Sequence, residues 1–292
     1  MPAYGRHPTS QFLNIGEYCF LVDCGEGTQM QMNRHHIKRS RINQIFISHL
    51  HGDHYFGLIG LITSYHLNKR KETLEIFCPE GLKEIVKLHL KVSDTKLNYK
   101  IIFHIVDSTQ FQKIFENEIL EVHSIPLNHR IPTNGFLFRE KKNLRRINAI
   151  EATRLEIPVS FFNDLKEGKD FVKEDGTFVK NLDVTFEPHR SRSYAFCSDT
   201  NYFEPIIDCI KNVDLLYHES TFLDDSVARA AETYHSTAKQ AATIALKSEV
   251  KKLLLGHFSA KYEDLNLFSA EAKTVFPNAE IAEEGKRFEV FY

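Results

Sequence analysis

The sequence predicts an α/β protein with a layered core, and three observations carry that reading. Apolar runs such as 44–48 and 252–256 are continuous rather than alternating, the mark of strands covered on both faces. Stretches with apolar residues at helical spacing follow several of them, so strand and helix alternate along the chain. With 42% hydrophobic and 26% charged side chains, 292 residues suffice for a sizeable packed core.

In order, a strand over 18–23 ends in the turn Cys24-Gly25-Glu26-Gly27, which feeds a helix over 28–37. The strand 44–48 precedes a helix over 55–69 that carries Phe56, Ile59, Leu61, Ile62 and Tyr65 at mostly helical spacing. Further strands are predicted at 74–78, 101–106, 119–127, 135–138, 194–198, 213–217 and 252–256. Helices are predicted at 82–91, 203–210, 237–247 and 264–275. One segment breaks the rhythm. Residues 141–180 are polar, charged and turn-rich, and their few apolar residues (Ile157, Phe161, Phe162, Phe171, Phe178) predict a hairpin or helix with its own mini-core. A segment this long between two strands is more often functional than a plain connector, so it is expected to project as an arm.

Composition narrows the function. Thirty-seven Lys and Arg against 39 Asp and Glu leave a formal charge of -2, so nucleic-acid binding must rest on a local patch. No apolar stretch is long enough to span a bilayer, and the first ten residues lack a signal-type apolar region. Five Cys, an odd count, favour reduced thiols in a cytoplasmic protein.

The strongest chemical signal is His49-Leu50-His51-Gly52-Asp53-His54, between the strand 44–48 and a helix. Neutral imidazole and carboxylate suit zinc, at ligand distances of about 2.0–2.2 Å. The H-x-H spacing sends two imidazoles to one side, while Asp53 and His54 at the helix start face another, which points to two adjacent ions. More candidates recur just after later strands: His129, Asp199 and His257. Strand C-terminal ends are where open α/β folds gather their chemistry.

This pattern resembles the metallo-β-lactamase superfamily and, within it, the ribonuclease Z family of tRNA 3′-trailer endonucleases. The narrower match rests on Pro8-Thr9-Ser10, Asp23-Cys24-Gly25-Glu26-Gly27-Thr28-Gln29, the metal loop with Tyr55-Phe56-Gly57-Leu58, and Pro126-Leu127-Asn128-His129. It continues through Ser198-Asp199-Thr200, His218-Glu219-Ser220-Thr221-Phe222, Tyr234-His235-Ser236-Thr237 and Gly256-His257-Phe258-Ser259-Ala260-Lys261-Tyr262, in order along nearly the whole chain.

The resemblance implies an αββα four-layer sandwich over 1–292, with a tRNA-binding arm inserted at 141–190. It implies two zinc ions per chain, one held by His49, His51 and His129, the other by Asp53, His54 and His257, with Asp199 bridging. The implied reaction is attack of a metal-activated hydroxide on a phosphodiester of precursor tRNA, leaving a 3′-hydroxyl on the tRNA. Asp53 would orient the attacking water or take its proton, and His235 would protonate the departing ribose oxygen. Asp23 and Glu219 would orient the working histidines. Arg139, Lys141, Lys142, Arg145 and Arg146, five cations in eight residues, are the candidate RNA-gripping cluster, with Arg6 near the tRNA 3′ end. A homodimer is implied as well.

Two departures stand out. The family's strand and Gly-rich turn ahead of Pro8 are represented here only by residues 1–7, so the usual first strand is expected to be missing. Pro158-Val159-Ser160-Phe161 stands where the arm usually carries a Gly-Pro element. Two other functions fit the metal motif: a small-molecule phosphodiesterase or arylsulfatase of the same superfamily, and an inactive zinc-stabilised binding protein.

Overall fold

The continuous apolar runs become the inner strands of two sheets. In the computed structural model, which describes residues 3–291, the first sheet has five strands in the order β1 to β5: Gln11–Ile15, Tyr18–Val22, Ile42–Phe46, Leu74–Cys78 and Ile101–Ile105. β1 and β2 form an antiparallel hairpin, and β2 to β5 run parallel. The next strands are β6 (Gln112–Glu116), β7 (Leu120–Pro126) and β8 (Asn134–Glu140), followed by four two-residue strands in the arm. These are β9 (Arg146–Ile147), β10 (Phe171–Val172), β11 (Phe178–Val179) and β12 (Thr185–Phe186). β13 (Ser193–Cys197), β14 (Leu215–Glu219), β15 (Lys252–Gly256) and β16 (Ala279–Ile281) then join β6, β7 and β8 in a seven-stranded sheet of order β16-β15-β14-β13-β8-β7-β6.

The two sheets pack face to face through rings. Phe20, Phe46 and Phe77 of the first meet Phe136, Phe138 and Phe196 of the second, all buried. Phe46 lies 5.4 Å from Phe136 and 5.3 Å from Phe138 between ring centroids, and each such pair adds about 0.5–1.5 kcal/mol beyond area burial. Helices cover the two outer faces. α1 (Thr28–Arg34), α2 (Gly52–Leu67) and α3 (Leu82–Val92) bury Met32, Leu58, Leu61, Leu82 and Val86 against the first sheet. Past the arm's α4 (Ala149–Arg154), α5 (Phe162–Lys166) and α6 (Asn181–Val184) come α7 (Ile206–Cys209), α8 (Val227–Glu232), α9 (Ala238–Lys247) and α10 (Asn266–Lys273). α7, α9 and α10 cover the second sheet with Ile206, Ala241, Ala245, Phe268 and Ala272. This is the αββα sandwich that the resemblance implied.

The arm leaves after β8 and returns at β13, which pair with each other, so both of its roots sit side by side. It has its own small core of Ala152, Ile157, Leu165, Val179 and Val184. Phe161, Phe162 and Phe171 pack on that core, but Phe178, expected within it, is 57% exposed. Asn181 stitches the interior by donating to the carbonyls of Leu165 (2.7 Å) and Lys169 (3.0 Å).

Other boundaries differ from the sequence reading. The helix expected over 28–37 stops at Arg34, and His36 turns to a left-handed φ of 55°. The one expected over 203–210 shrinks to a single turn. β1, β6 and β16 were not predicted; β1 and β6 mix polar and apolar residues on edge strands, and β16 has only three residues. β1 closes its sheet at one edge, paired with β2 alone among the described residues. All five cysteines are free thiols, and no helix among the described residues is long and apolar enough to cross a membrane.

Candidate metal centre

The chemistry-bearing side chains stand on loops at one common end of the two sheets. β3 runs into an extended loop carrying His49 and His51, the latter serving as N-cap residue of α2. Asp53 and His54 occupy the first turn of α2, where the helix dipole favours the carboxylate. Asp23 follows β2, His129 lies beyond β7, Asp199 beyond β13 and His257 directly after β15. Asp23, Asp199 and His257 each take a left-handed backbone, with φ of 58°, 59° and 58°. For residues other than Gly this conformation costs about 1–2 kcal/mol, so three site residues are held in tight corners.

The loops bring all seven sequence-predicted ligands together. His49 Nε2 is 2.9 Å from His51 Nδ1, which is 3.3 Å from His129 Nε2. Asp199 Oδ2 faces this trio, at 3.6 Å from His49 Nε2 and 3.8 Å from His129 Nε2. Its other oxygen faces the second set, at 3.2 Å from His54 Nε2 and 3.1 Å from His257 Nε2. Asp53 Oδ2 closes that set, 3.7 Å from His54 and 3.9 Å from His257. Asp199 thus presents one oxygen to each group, the arrangement of a bridging carboxylate.

Four of the five ligand imidazoles have an oxygen acceptor on their outward nitrogen, which fixes the rings. His49 Nδ1 is 3.0 Å from Ser48 Oγ, His54 Nδ1 is 2.7 Å from Asp23, and His129 Nδ1 is 3.0 Å from the Tyr234 carbonyl. His257 Nδ1 is 2.9 Å from Thr221 Oγ1, whose hydroxyl lies 2.6 Å from Glu219. Such acceptors set the tautomer and aim the free nitrogen inward. Ser48, Thr221 and the Tyr234 carbonyl were absent from the sequence-based site; hydroxyls and carbonyls carry no composition signal, although Ser48 and Thr221 each lie within two residues of a predicted site residue.

Electrostatics favours a cation here. Burial pushes His49 down to about 2 and lowers His51 and His129, so these three imidazoles stay neutral, the form a metal requires. Burial would lower His257 as well, but Asp199 and Asp53 raise it to about 9; Asp199 and Asp23 likewise raise His54. Burial opposes ionisation of Asp199 and Asp53, yet the neighbouring histidines hold both carboxyls below the usual range. A carboxylate as buried as Asp199 demands positive charge beside it. The buried Nε2 of His54 has no hydrogen-bond partner and faces the ligand group, so the donor set fits metal ions.

His235 stands at the same pocket, its ring 5.2 Å from that of His257 and 5.3 Å from that of His129. Its Nδ1 is 2.8 Å from Glu219, a fully buried carboxylate that also accepts from the backbone N–H groups of Thr200, Thr221 and Ser236. A cavity of about 1850 Å³ takes in His51, Asp53, His129, Asp199, His235 and His257 and runs on between Gln11–Ile15 and 286–291. Arg6 lines it too, donating to the carbonyls of Tyr262 (2.9 Å) and Ser259 (3.4 Å).

The basic cluster is less uniform than the sequence suggests. Lys141 pairs with Glu116, and Arg145 is held by Glu187 and Thr185 at 2.7 and 2.8 Å. Arg146 donates to the Glu187 carbonyl and lies over the Phe186 ring, still exposed. Arg139 and Lys142 are exposed, and none of the five lies in the cavity.

Similarity to known proteins agrees with this geometry. Residues 5–142 match the family model described as anti-Pycsar protein Apyc1. The chain is 44% identical over 284 residues to ribonuclease Z of Bacteroides fragilis (strain YCH46), covering 97% of this chain and 93% of that one. It is 43% identical over 290 residues to ribonuclease Z of Parabacteroides distasonis, at 99% and 95% coverage. Among solved structures it is similar to human tRNase Z, short form, with a TM-score of 0.68 and 26% identity over 96% of this chain and 94% of that one. Identity of this extent along nearly the whole length places the chain in the ribonuclease Z family.

Proposed function

We propose that the protein is a metal-dependent endoribonuclease that removes the 3′ trailer of precursor tRNA and leaves a 3′-hydroxyl on the tRNA. The observation that carries this is the convergence of His49, His51, His129, Asp53, His54, His257 and Asp199 in a chain of this family. His49, His51 and His129 would hold one ion and Asp53, His54 and His257 another, with Asp199 shared; imidazole and carboxylate ligands favour zinc. Ions bound there supply charge that polarises the phosphoryl oxygens and acidifies a water.

The chain's own groups divide the remaining work. Asp53, ionised and 40% exposed toward the cavity, orients the attacking water or accepts its proton. His235, steadied at Nδ1 by Glu219, turns Nε2 toward the pocket and delivers a proton to the ribose oxygen as it departs. Asp23 and Glu219 act through the histidines they hold. The arm at 141–190 binds the tRNA body through exposed Lys142 and Arg146, joined by Arg139 on β8 beside its root, with Lys141 and Arg145 bracing that root, while Arg6 lies at the tRNA 3′ end. Met30 and Phe56, 73% and 63% exposed on the adjoining helices α1 and α2, favour a homodimer. The free thiols suit a cytoplasmic protein.

The test is direct. Purified protein is incubated with a trailer-bearing precursor tRNA, with and without chelator, and the product ends are mapped. Cleavage at the trailer junction with a 3′-hydroxyl, lost on chelation, is expected; an intact precursor under all metal conditions refutes the reading.

A further inference from the structure

His51 breaks the pattern of its neighbours. The other four ligand imidazoles turn their outward nitrogen onto an oxygen acceptor. His51 instead has Nδ1 inside the ligand group, while its outward Nε2 lies 3.3 Å from Nη2 of Arg130. A neutral imidazole that gives its Nδ1 lone pair to a cation keeps its proton on Nε2, and a guanidinium nitrogen only donates. Two N–H groups then face each other, so this contact ceases to be a hydrogen bond once Nδ1 is engaged. Arg130 is exposed on the cavity wall, and among the described residues no carboxylate pairs with it. Arg229, also on that wall, is taken up by Glu232. Arg130 is thus a cation beside the ligand group in want of an anionic acceptor.

We propose that Arg130 binds a phosphate of the RNA strand flanking the scissile one and so helps to select a polynucleotide over a small diester. A planar guanidinium matches two phosphate oxygens at once. The flanking phosphate is favoured over the reacting one because Arg130 sits on the outward side of His51, whereas Asp199 and the other ligand atoms lie on its inward side. In a chain of net charge -2, attraction for phosphate must come from such local cations. This inference rests on the tRNA reading above.

The test uses the metal-loaded protein and a precursor tRNA whose scissile ester oxygen is replaced by a methylene group, with affinity measured across a salt series. Arg130→Ala is expected to weaken binding about tenfold and to flatten the dependence of log affinity on log salt by about 0.7, the single-strand value per phosphate. Arg130→Lys should keep the slope. Turnover of bis-p-nitrophenyl phosphate, which has no flanking phosphate, should stay within about threefold for both variants. Unchanged affinity and slope in Arg130→Ala would overturn the inference, as would an equal loss on the small diester, which would put the guanidinium at the reacting phosphate. Failure of the unaltered protein to bind or cleave precursor tRNA strikes the tRNA reading itself.

Discussion

Replacing Glu219 by Gln removes one charge and almost no volume from a fully buried position, so its effect can be worked out bond by bond. Oε1 accepts from Thr200 N and His235 Nδ1, both at 2.8 Å. Oε2 accepts from Thr221 Oγ1 at 2.6 Å, Ser236 N at 3.1 Å and Thr221 N at 3.2 Å. A glutamine nitrogen at the second position would confront three donors; at the first it confronts one backbone N–H and one ring nitrogen. The second arrangement wins, leaving Thr200 N–H unanswered in the interior at a cost of about 1–3 kcal/mol. It also forces His235 to accept at Nδ1, and it weakens the Oε2 bonds, which lose their charge assistance. A total near 3 kcal/mol follows, read as a lower denaturant midpoint. Turnover should suffer more. A ring that must accept at Nδ1 cannot also carry the second proton it needs to give up at Nε2, so the rate on precursor tRNA should fall by about 10²-fold or more. Metal content, measured by mass spectrometry, should change little. A Glu219→Gln protein with an unshifted denaturant midpoint and turnover within threefold of the original would show that this carboxylate neither supports the loops nor positions His235.

Other perturbations separate the remaining roles. His235→Ala should slow cleavage by about 10²–10⁴-fold while retaining bound metal, whereas Asp53→Ala should abolish cleavage; metal analysis beside single-turnover rates distinguishes them. Deleting 141–180 should cost far more activity on precursor tRNA than on bis-p-nitrophenyl phosphate, and equal losses would deny the arm a role in tRNA binding. Asp214, well away from the centre, receives Arg190, Lys251 (2.7 Å) and the N–H of Ser193 (2.7 Å). Burial pushes its carboxyl up, but Lys251, Ser193 and Arg190 together hold it below 3.8. A depressed carboxyl contributes stability above its ordinary value and loses it as pH falls through the lowered one. Asp214→Asn should therefore cost about 2 kcal/mol near neutral pH, with the difference from the original shrinking below about pH 4 in denaturant melts.

The parts readable from sequence share a physical cause. The strand expected at 44–48 is β3, Ile42–Phe46, but residues 45–47 and 253–255 are buried as their unbroken apolar runs suggest; the edge strand Gln11–Ile15 is half-buried and its QFLNI pattern is indistinct. The ligands could be named because the dense His49 to His54 loop and the later His129, Asp199 and His257 together resemble one family's pattern. Their supports could not, because a carbonyl such as that of Tyr234 or a hydroxyl such as that of Ser48 is placed by the fold alone. The run Arg139 to Arg146 looks like one patch in sequence, yet Lys141 and Arg145 spend their charge on Glu116 and Glu187. Composition counts cations; it does not tell which ones already have a partner within the chain.

Asp23, His49, His51, Asp53 and His54 come from the half of the chain that builds the first sheet, and His129, Asp199, His235 and His257 from the half that builds the second. A cation seated among them is therefore a rivet across the seam between the leaves. Whatever it gains by binding is added to the hold of one leaf on the other, because a ligand that prefers the closed state stabilises that state. The converse also holds: slackening the phenylalanine seam, far from any reacting atom, spreads the two sets of ligands and loosens their grip on the ion.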